Sequence, residues 1–538
     1  MIAKQTRNTV YLLLMWCMFF GWNARVAQAQ LTQNLIPDAK AMALGNAVTA
    51  DTPGIMSIHF NPSGLTKLKD RQFEAGIINV YMDIDADFIA PDGYNIFGID
   101  GLENDPVANQ HSHVNRLALY IPGFGLQKLP PHLPGAVPHN GFSYNPPGSK
   151  FTFGNALFIP MAAGFYRKSD DPGRYEPQAA GIERITYLSP SFGYEINDEW
   201  SVGAGVHFSY FALSAEQWMR APNMLLGVAE VLQDAFNCES GEEPLAPWVT
   251  LCGGNVGPWD DIGAIELELE QTLSPSYTLG VTWTPTDWFT WGASYASEAD
   301  MRLKGKFLME YTRDFYGFWQ RFNSSVIGAI TSAILSLPSG VPSEKGHVSM
   351  DLTYPQHFQT GVSVKVHPKL TLNADIGWTD FRAWDQFKFQ FDRQLEFLGA
   401  ARILSPDYAT STSLALNQGM TDIWNWGFGM EFHATTRLDL RAGIELRSSV
   451  IPDNQFSIMA PFGDATMYGV GMGYQWSKDA VIDMSATYLQ SIQYTPADGS
   501  CNLNCDNITN IVYNPYAGLD VKTSLRVVTL GLNFRTKF

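Results

Sequence analysis

From Thr466 to Trp476 the large side chains Tyr468, Val470, Met472, Tyr474 and Trp476 alternate with Met467, Gly469, Gly471, Gly473 and Gln475. The same period of two returns in Trp424, Trp426, Phe428, Met430 and Phe432 against Gly427, Gly429, Glu431 and His433. It returns again in Leu438, Leu440, Ala442, Ile444 and Leu446 against Asp439, Arg441, Gly443, Glu445 and Arg447. A half-buried strand of a soluble sheet has this alternation. So does a strand of a closed membrane barrel, in which closure satisfies every backbone group and large apolar residues face lipid while small or polar ones face the lumen. The segment Ser524–Phe538 favours the barrel: Val528, Leu530, Leu532, Phe534 and Phe538 share one face, and the chain stops on an aromatic residue, as substrates of the outer-membrane assembly machinery do.

The connections sharpen the choice. Asn197-Asp198-Glu199, Pro285-Thr286-Asp287, His367-Pro368-Lys369, Ala434-Thr435-Thr436 and Ser477-Lys478-Asp479 are tight turns, whereas those near 219–266, 312–346, 394–420 and 494–522 are long. Short turns on one rim and long loops on the other belong to an outer-membrane barrel, with the long loops outside the cell. About fourteen such segments follow Phe73, an even number as a single-chain bacterial barrel requires; the stretch Asp83–Pro147 is irregular. The expected fold is all-β, a transmembrane antiparallel barrel over 73–538. Two long loops also carry apolar residues at helical spacing: Leu225, Val228, Val231, Leu232 and Phe236 in the first, Phe322, Val326, Ile327, Ile330, Ile334 and Leu337 in the second. Two amphipathic helices are expected, over Met219–Phe236 and Phe318–Leu337. They either pack on each other as a cap or leave an apolar groove open to hydrophobic solutes, with Leu225, Val228, Leu232, Phe236, Phe322, Ile327, Ile330 and Ile334 as its substrate-binding residues.

At the N-terminus Lys4 and Arg7 precede an apolar run from Val10 to Trp22, and Ala27-Gln28-Ala29 offers a small-x-small cleavage site, so residues 1–29 read as a signal peptide. The formal charge of −18 becomes three units more negative on its removal, which argues against nucleic acid as a partner. Acid is concentrated between Ala221 and Asp300, a span without Lys or Arg that holds Glu239, Glu242, Glu243, Asp260, Asp261, Glu266, Glu268 and Glu270; its simplest reading is a solvated loop. Cys17 leaves with the signal. The remaining four cysteines form two local pairs, Cys238 with Cys252 and Cys501 with Cys505, and in an exported chain these point to disulfides; neither pair has the companion Cys or His cluster of a metal site. No cofactor or metal signature is present in the sequence.

The most specific motif lies before the first strand: Gly45, Asp51 and Asn61-Pro62-Ser63 within Ala39–Val80. Further matches are Asn197-Asp198-Glu199-Trp200-Ser201, Trp378-Thr379-Asp380-Phe381, Arg441-Ala442-Gly443-Ile444 with Val450-Ile451-Pro452, and Gly473 through Asp479. On these residues nearly the whole mature chain resembles the FadL/OmpP1/TodX family of outer-membrane transporters of hydrophobic compounds, whose usual Asn-Pro-Ala is Asn-Pro-Ser here. The resemblance implies fourteen strands, residues 30–72 folded inward as a hatch gated at Asn61, Pro62 and Ser63, and location in a Gram-negative outer membrane. It implies passive uptake of fatty acids or related compounds: capture in the loop groove, passage past the hatch, and sideways release into membrane lipid through a gap beside a kinked third strand. The candidate kink is Leu157–Tyr166, where Pro160 removes a ladder donor and Gly164 permits an irregular backbone. Fatty-acid carriers of the family place a basic side chain shortly after the fifth strand. The aligned position holds Gln217, with Arg220 the nearest cation, and Leu416–Gln418 supplies no Lys or Arg. A neutral hydrocarbon, aromatic compound or other lipid therefore stays open beside a fatty acid.

Two rivals remain. An outer-membrane hydrolase would need Ser, His and an acid together; His207 with Ser209, and His433 near Glu431, are neighbours of that kind, but with 10 histidines in the chain such neighbours are expected by chance, and an enzyme is not expected. A structural or adhesive barrel is the stronger alternative, although it needs neither the Asn-Pro turn nor apolar loop helices.

Overall fold

In the computed structural model, which describes residues 38–238, 243–458, 463–505 and 514–538, the alternating segments close into one antiparallel barrel of fourteen strands. They are β1 (Asp70–Ile89), β2 (Gly135–Asn145), β3 (Phe151–Tyr166), β4 (Ala179–Leu188 with Ser191–Glu195), β5 (Trp200–Met219), β6 (Gly263–Thr286) and β7 (Phe289–Ala296 with Ala299–Tyr311). The second half comprises β8 (Ser343–Tyr354 with His357–His367), β9 (Leu370–Thr379 with Gln386–Phe391), β10 (Ser413–Asn417 with Ile423–His433), β11 (Leu438–Arg447), β12 (Ala465–Gln475), β13 (Ala480–Thr495) and β14 (Asp520–Lys537). β14 returns to pair with β1 from Gln72↔Lys537 to Ile89↔Asp520, so the sheet has no free edge there. The expected signal peptide lies outside the described residues. No described helix is long and apolar enough to cross a membrane.

Short turns close one rim by side-chain chemistry. Asn197 Oδ1, for instance, accepts from the backbone N–H groups of Glu199 (3.0 Å) and Trp200 (2.8 Å), which folds β4 back into β5. Near this rim the wall has the expected polarity: Trp424, Trp426, Phe428 and Met430 are exposed on the outside, while Asn425 and Glu431 are buried inside.

Toward the other rim the polarity reverses. On β6, Ile265, Leu267 and Leu269 point inward, and Glu266 and Glu268 are exposed. On β7, Met301 and Leu303 are buried between exposed Arg302 and Lys304; on β9, Phe387, Phe389 and Phe391 are buried between exposed Gln386, Lys388 and Gln390. Each of these strands is interrupted where the change occurs. β6 shifts register between Gln271 and Ser274, β7 breaks at Ser297-Glu298, and β9 breaks at a 3₁₀ turn over Phe381–Trp384; the neighbouring β8 breaks likewise at Pro355-Gln356. The acidic block read as a loop is thus corrected in part: Glu266, Glu268 and Glu270 sit on a strand of the wall. A row of carboxylates and ammonium groups cannot face hydrocarbon, so this part of the wall stands above the membrane.

The hatch occupies the lumen at the level of the polar wall. It contains the helices α1 (Ala39–Ala43) and α2 (Ser57–Phe60) and a 3₁₀ helix over Pro62–Lys67, and glycines of the wall let it approach. A Cβ at Gly280 would collide with Asn61, and one at Gly203 with Pro62. Buried acids of the wall hold it: Asp375 accepts from Thr49 N–H (2.8 Å) and Glu445 from Asn46 Nδ2 (2.7 Å). Within the hatch Lys40 and Asp51 pair at 2.7 Å. Burial disfavours the Asp51 carboxylate, but Lys40 and Lys67 outweigh it and hold its pKa below the usual range.

The loop helices differ from expectation in one respect. The first is α3 (Met224–Ala235), but the second segment makes two helices, α4 (Arg313–Asn323) and α5 (Val326–Leu335). The break falls where Ser325 caps α5, its Oγ accepting from Gly328 N–H at 3.0 Å; a serine cap inside an apolar run restarts the helix. A further helix, α6 (Glu396–Leu404), lies in the long loop between β9 and β10.

Candidate functional site

The inverted zone encloses an apolar chamber of about 270 Å³ above the hatch. Its walls are Met161 on β3, Leu213 on β5, Ile265 and Leu267 on β6, Phe387 and Phe389 on β9 and Leu416 on β10; Phe315 of α4 and Phe397 of α6 reach in from above. Glu176, Gln217, Arg220, Gln418 and Asn502 supply a polar margin.

Arg220 is the chamber's one cation among the described residues, and it is already engaged. Its Nη1 pairs with Asp105 Oδ1 at 2.5 Å, its Nε donates to Pro515 carbonyl oxygen at 2.6 Å, and the guanidinium lies 4.6 Å from the Tyr175 ring centroid. Burial opposes its charge, but Asp105 and then Tyr175 hold its pKa above the ordinary arginine value. Gln217, at the position where a head-group cation was sought, donates to Tyr175 carbonyl oxygen at 2.8 Å. A carboxylate entering here would meet a neutralised arginine.

The backbone ladder of the wall beside the chamber is interrupted. β2 and β3 pair only from Asn140↔Leu157 to Tyr144↔Phe153, and Gly135–His139 faces Phe158–Ala163 without a ladder. Pro160 falls where β3 slips against β4, between Phe158↔Thr186 and Met161↔Arg184; having no N–H, it loses nothing by leaving the ladder. The top of this window is closed by a bridge between Leu117 and Phe165 and by Tyr166 N–H donating to Arg116 carbonyl oxygen at 3.1 Å. Gly164 belongs to that closure: Ala118 carbonyl oxygen passes so near that a Cβ would collide with it. Leu117 leads into a hairpin, Ala118–Ile121 with Gly125–Lys128, whose Tyr120 and Leu126 pack over Tyr210, Ala212 and Ile185 of the wall. This hairpin interrupts the second strand of the barrel, and the short strand Gln110–Val114 before it continues that position against β1. It lies within the stretch read as irregular, where its four-residue strands were too short for periodicity to mark.

Asn61 and Ser63 are fully buried. Asn61 Nδ2 donates to the carbonyl oxygens of Thr49 (2.8 Å) and Val281 (3.1 Å), its Oδ1 accepts from Ser63 Oγ (2.7 Å), and Ser63 Oγ lies 2.6 Å from Thr282 Oγ1. Pro62 starts the 3₁₀ helix that Asn61 caps. The turn therefore bridges two parts of the hatch and fastens both to β6.

None of the eight residues expected to bind substrate in the loops lines the chamber. The segment between Leu245 and Asn255 separates α3 from α4 and α5: Gln233 donates to its Leu251 and Gly254 carbonyl oxygens (both 2.8 Å), Thr250 Oγ1 donates to Arg321 carbonyl oxygen (2.6 Å), and Val326 N–H donates to Pro247 carbonyl oxygen (3.0 Å). Leu225, Leu232, Ile327, Ile330 and Ile334 are exposed on the loop surface, while Val228, Phe236 and Phe322 are half-buried. Cys238 is joined to Cys252 in this loop, and Cys501 to Cys505 between β13 and β14. His207 and Ser209, the neighbours a hydrolase would use, each bond elsewhere, His207 Nε2 to Thr278 Oγ1 (2.8 Å) and Ser209 Oγ to Thr186 Oγ1 (3.0 Å).

Comparison with known proteins places this architecture. The long-chain fatty acid transport protein of Escherichia coli O6:H1 is 20% identical over 315 residues, 58% of this chain and 61% of that protein, so the match spans about three fifths of the curated relative. Among solved structures, a Pseudomonas aeruginosa FadL homologue superposes with a TM-score of 0.64 at 16% identity, over 95% of this chain and 100% of that one. The toluene transporter TodX of P. putida does so with 0.60 at 15%, over 95% and 99%. These likenesses show the fold. Residues 19–538 match the profile described as outer membrane protein transport protein (OMPP1/FadL/TodX), and the chain belongs to that family of outer-membrane barrels.

Proposed function

We propose that the protein carries compact hydrophobic compounds passively into the outer membrane, through the chamber and out through the window between β2 and β3. One observation carries this reading: the inward row of the wall changes from polar to apolar at the level where the ladder between β2 and β3 is missing. An apolar solute gains about 0.8 kcal/mol for each methylene withdrawn from water, and it keeps that gain by leaving sideways into lipid instead of crossing a polar lumen. Drug-sized ligands occupy pockets of roughly 300–1,000 Å³, so a chamber of about 270 Å³ suits an aromatic ring or short tail better than an extended long-chain acid. The engaged state of Arg220 favours the neutral solute as well. The loop surface with Leu225, Ile330 and Ile334 would serve as first contact, and the proposal includes no catalytic step. The experiment is uptake of labelled toluene and labelled palmitate by cells expressing the protein, against cells with the empty vector. Toluene uptake above the control supports the reading; no gain for either probe favours a structural or adhesive barrel.

A second reading rests on Arg184 of β4. It is 3% exposed, lies 3.8 Å from the Tyr354 ring centroid, donates from Nη2 to Ser276 (3.1 Å), and has no ion pair among the described residues. It lines a small pocket under the chamber with Pro160, His207 and Tyr354, where the carboxylate of an acid could lie with its tail above. A palmitate gain lost in Arg184→Gln, with toluene uptake unchanged, would select this reading.

A further inference from the structure

Among the described residues, three groups of Asp, Glu and His bring their ligand atoms close enough to share one ion. Two are occupied by ion pairs. In Asp85–His111–His113, Asp85 binds His113 at 2.7 Å and Arg526 at 2.5 Å; in Glu431–His433–Asp439, His433 binds Asp439 and Glu431 binds Arg441, both at 2.6 Å. The third group, Asp38, Glu74 and His139, is different. All three are 2–3% exposed, and they come from three elements: the hatch just before α1, β1 and β2.

We infer that Asp38, Glu74 and His139 form a binding site for a divalent transition-metal ion that fastens the hatch to the barrel wall. Several atoms at the site, though not those of Asp38, lack hydrogen-bond partners in the protein. Glu74 Oε1 and Asn533 Oδ1 are buried without a hydrogen bond, and neither ring nitrogen of His139 reaches hydrogen-bonding geometry, although Asn533 lies beside it. Buried polar atoms are rarely left so, and a cluster of them at one point is a place for a ligand. The remaining atoms are held: Asp38 Oδ1 accepts from Ala41 N–H at 3.0 Å, Asp38 Oδ2 accepts from Asn533 Nδ2, and Glu74 Oε2 accepts from Ile55 N–H at 2.9 Å. Space has been cleared as well. His139 pairs with Gly76 across β1 and β2, and a side chain at Gly76 would collide with both His139 and Asn533.

Charge and donor type choose the ion. The two buried carboxylates have Arg535 at 3.9 Å from Glu74 as their nearest guanidinium, the more distant Arg441 being paired with Asp483, and a dication would add the balancing charge. An imidazole beside two carboxylates suits Zn²⁺, Mn²⁺, Fe²⁺ or Co²⁺ better than Ca²⁺ or Mg²⁺, which take oxygen alone. The ligand atoms lie within 4.8 Å of one another; around one zinc ion, with bonds of about 2.1 Å, they would draw in to roughly 3–4 Å by small side-chain movements. Because His139 ends the stretch Gly135–His139, which pairs with β1 but not with β3, the ion would also tie the hatch to one edge of the window.

The test is metal analysis of the detergent-purified protein after loading with Zn²⁺ and desalting. The expected result is one retained equivalent, with affinity lowered at least tenfold in His139→Ala and in Glu74→Gln and unchanged in the double variant His111→Ala, His113→Ala; loss of a ligand exceeds the 10- to 100-fold cost of losing a partner behind one. Heat-modifiable migration on gels confirms that each variant is a closed barrel. Should the buried variants not fold, pulsed electron paramagnetic resonance of Mn²⁺ bound to the His111→Ala, His113→Ala protein reads an imidazole nitrogen at the ion directly. The inference is overturned if no equivalent is retained, if it is lost only with His111 and His113, or if bound Mn²⁺ shows no nitrogen coupling.

Discussion

The two zones of this barrel use the same period-two strand for opposite ends. Near the short turns, Trp424-Asn425-Trp426 sends its aromatics out to lipid and its amide in to the hatch; near the long loops, Phe387-Lys388-Phe389 sends the ammonium out and the aromatics in. What differs is the medium on each side, lipid outside and polar hatch inside below, water outside and an apolar chamber inside above. A barrel can thus be porin-like in plan and still hold an apolar compartment, provided its strands are interrupted where the medium changes.

The largest effect should come from confusing the two rows in the upper zone. Phe389→Asp places a charge inside the chamber at a cost of several kcal/mol, and uptake of toluene at limiting concentration should fall at least tenfold. Lys388→Asp, on the exposed row, should stay within twofold. Equal losses for both would erase the distinction between the zones.

Asn61→Ala probes the lower zone. It removes the donors to Thr49 and Val281 and strands Ser63, at a cost of about 1–3 kcal/mol. The barrel should assemble normally and conduct small ions more readily in planar bilayers, because the hatch is released from β6. Unchanged conductance together with unchanged uptake would make the turn a folding feature alone.

A smaller effect is expected outside both zones. Val228→Asp with Ile330→Asp should lower uptake a few-fold at limiting concentration and leave it intact at saturation, since these residues stand on the loops and not in the chamber. Wild-type rates at every concentration would reduce the helices to a cap.

The disulfides should matter least to transport. In the chain-entropy picture the Cys238–Cys252 loop is worth about 3 kcal/mol and the shorter Cys501–Cys505 loop about 2. Their Cys→Ser variants should change the thermal stability of the loops and leave uptake within twofold; non-reducing peptide mapping checks that both bonds exist in the exported protein.

The lower zone was legible in the sequence because its large side chains have no alternative to lipid: Tyr468 through Trp476 and Val528 through Phe534 state their own orientation. The upper zone was not, because periodicity separates two faces without saying which is inside. Ile265-Glu266-Leu267-Glu268-Leu269 alternates as cleanly as any lipid-facing strand, yet its charges resemble a loop until neighbouring strands carry the same inverted rows. Pro160 was visible as a ladder breaker from its missing N–H. Phe397 of α6, the hairpin at Ala118–Lys128 and the Asp105 partner of Arg220 were not, since each acquires meaning only from a contact distant along the chain. For the same reason Leu225 and Ile330 looked like a binding surface: helical spacing gave them a common face, but the segment that separates α3 from α5 has no periodic signature.

The charged rows of the upper wall also fix how deeply the protein sits. β6 has 24 residues, a length of about 80 Å at ~3.4 Å per residue, and tilted by ~40° it still rises far beyond an apolar band of ~25 Å. A barrel that long could in principle float up or down. Sinking by one pair of residues would draw Glu268, Lys304 and their neighbours toward hydrocarbon, each at up to ~2–4 kcal/mol for the basic groups at mid-depth, while rising would expose Trp424 and its row to water. The two polarities act together as a depth stop, and the missing stretch of ladder between β2 and β3 is held at one height relative to the bilayer.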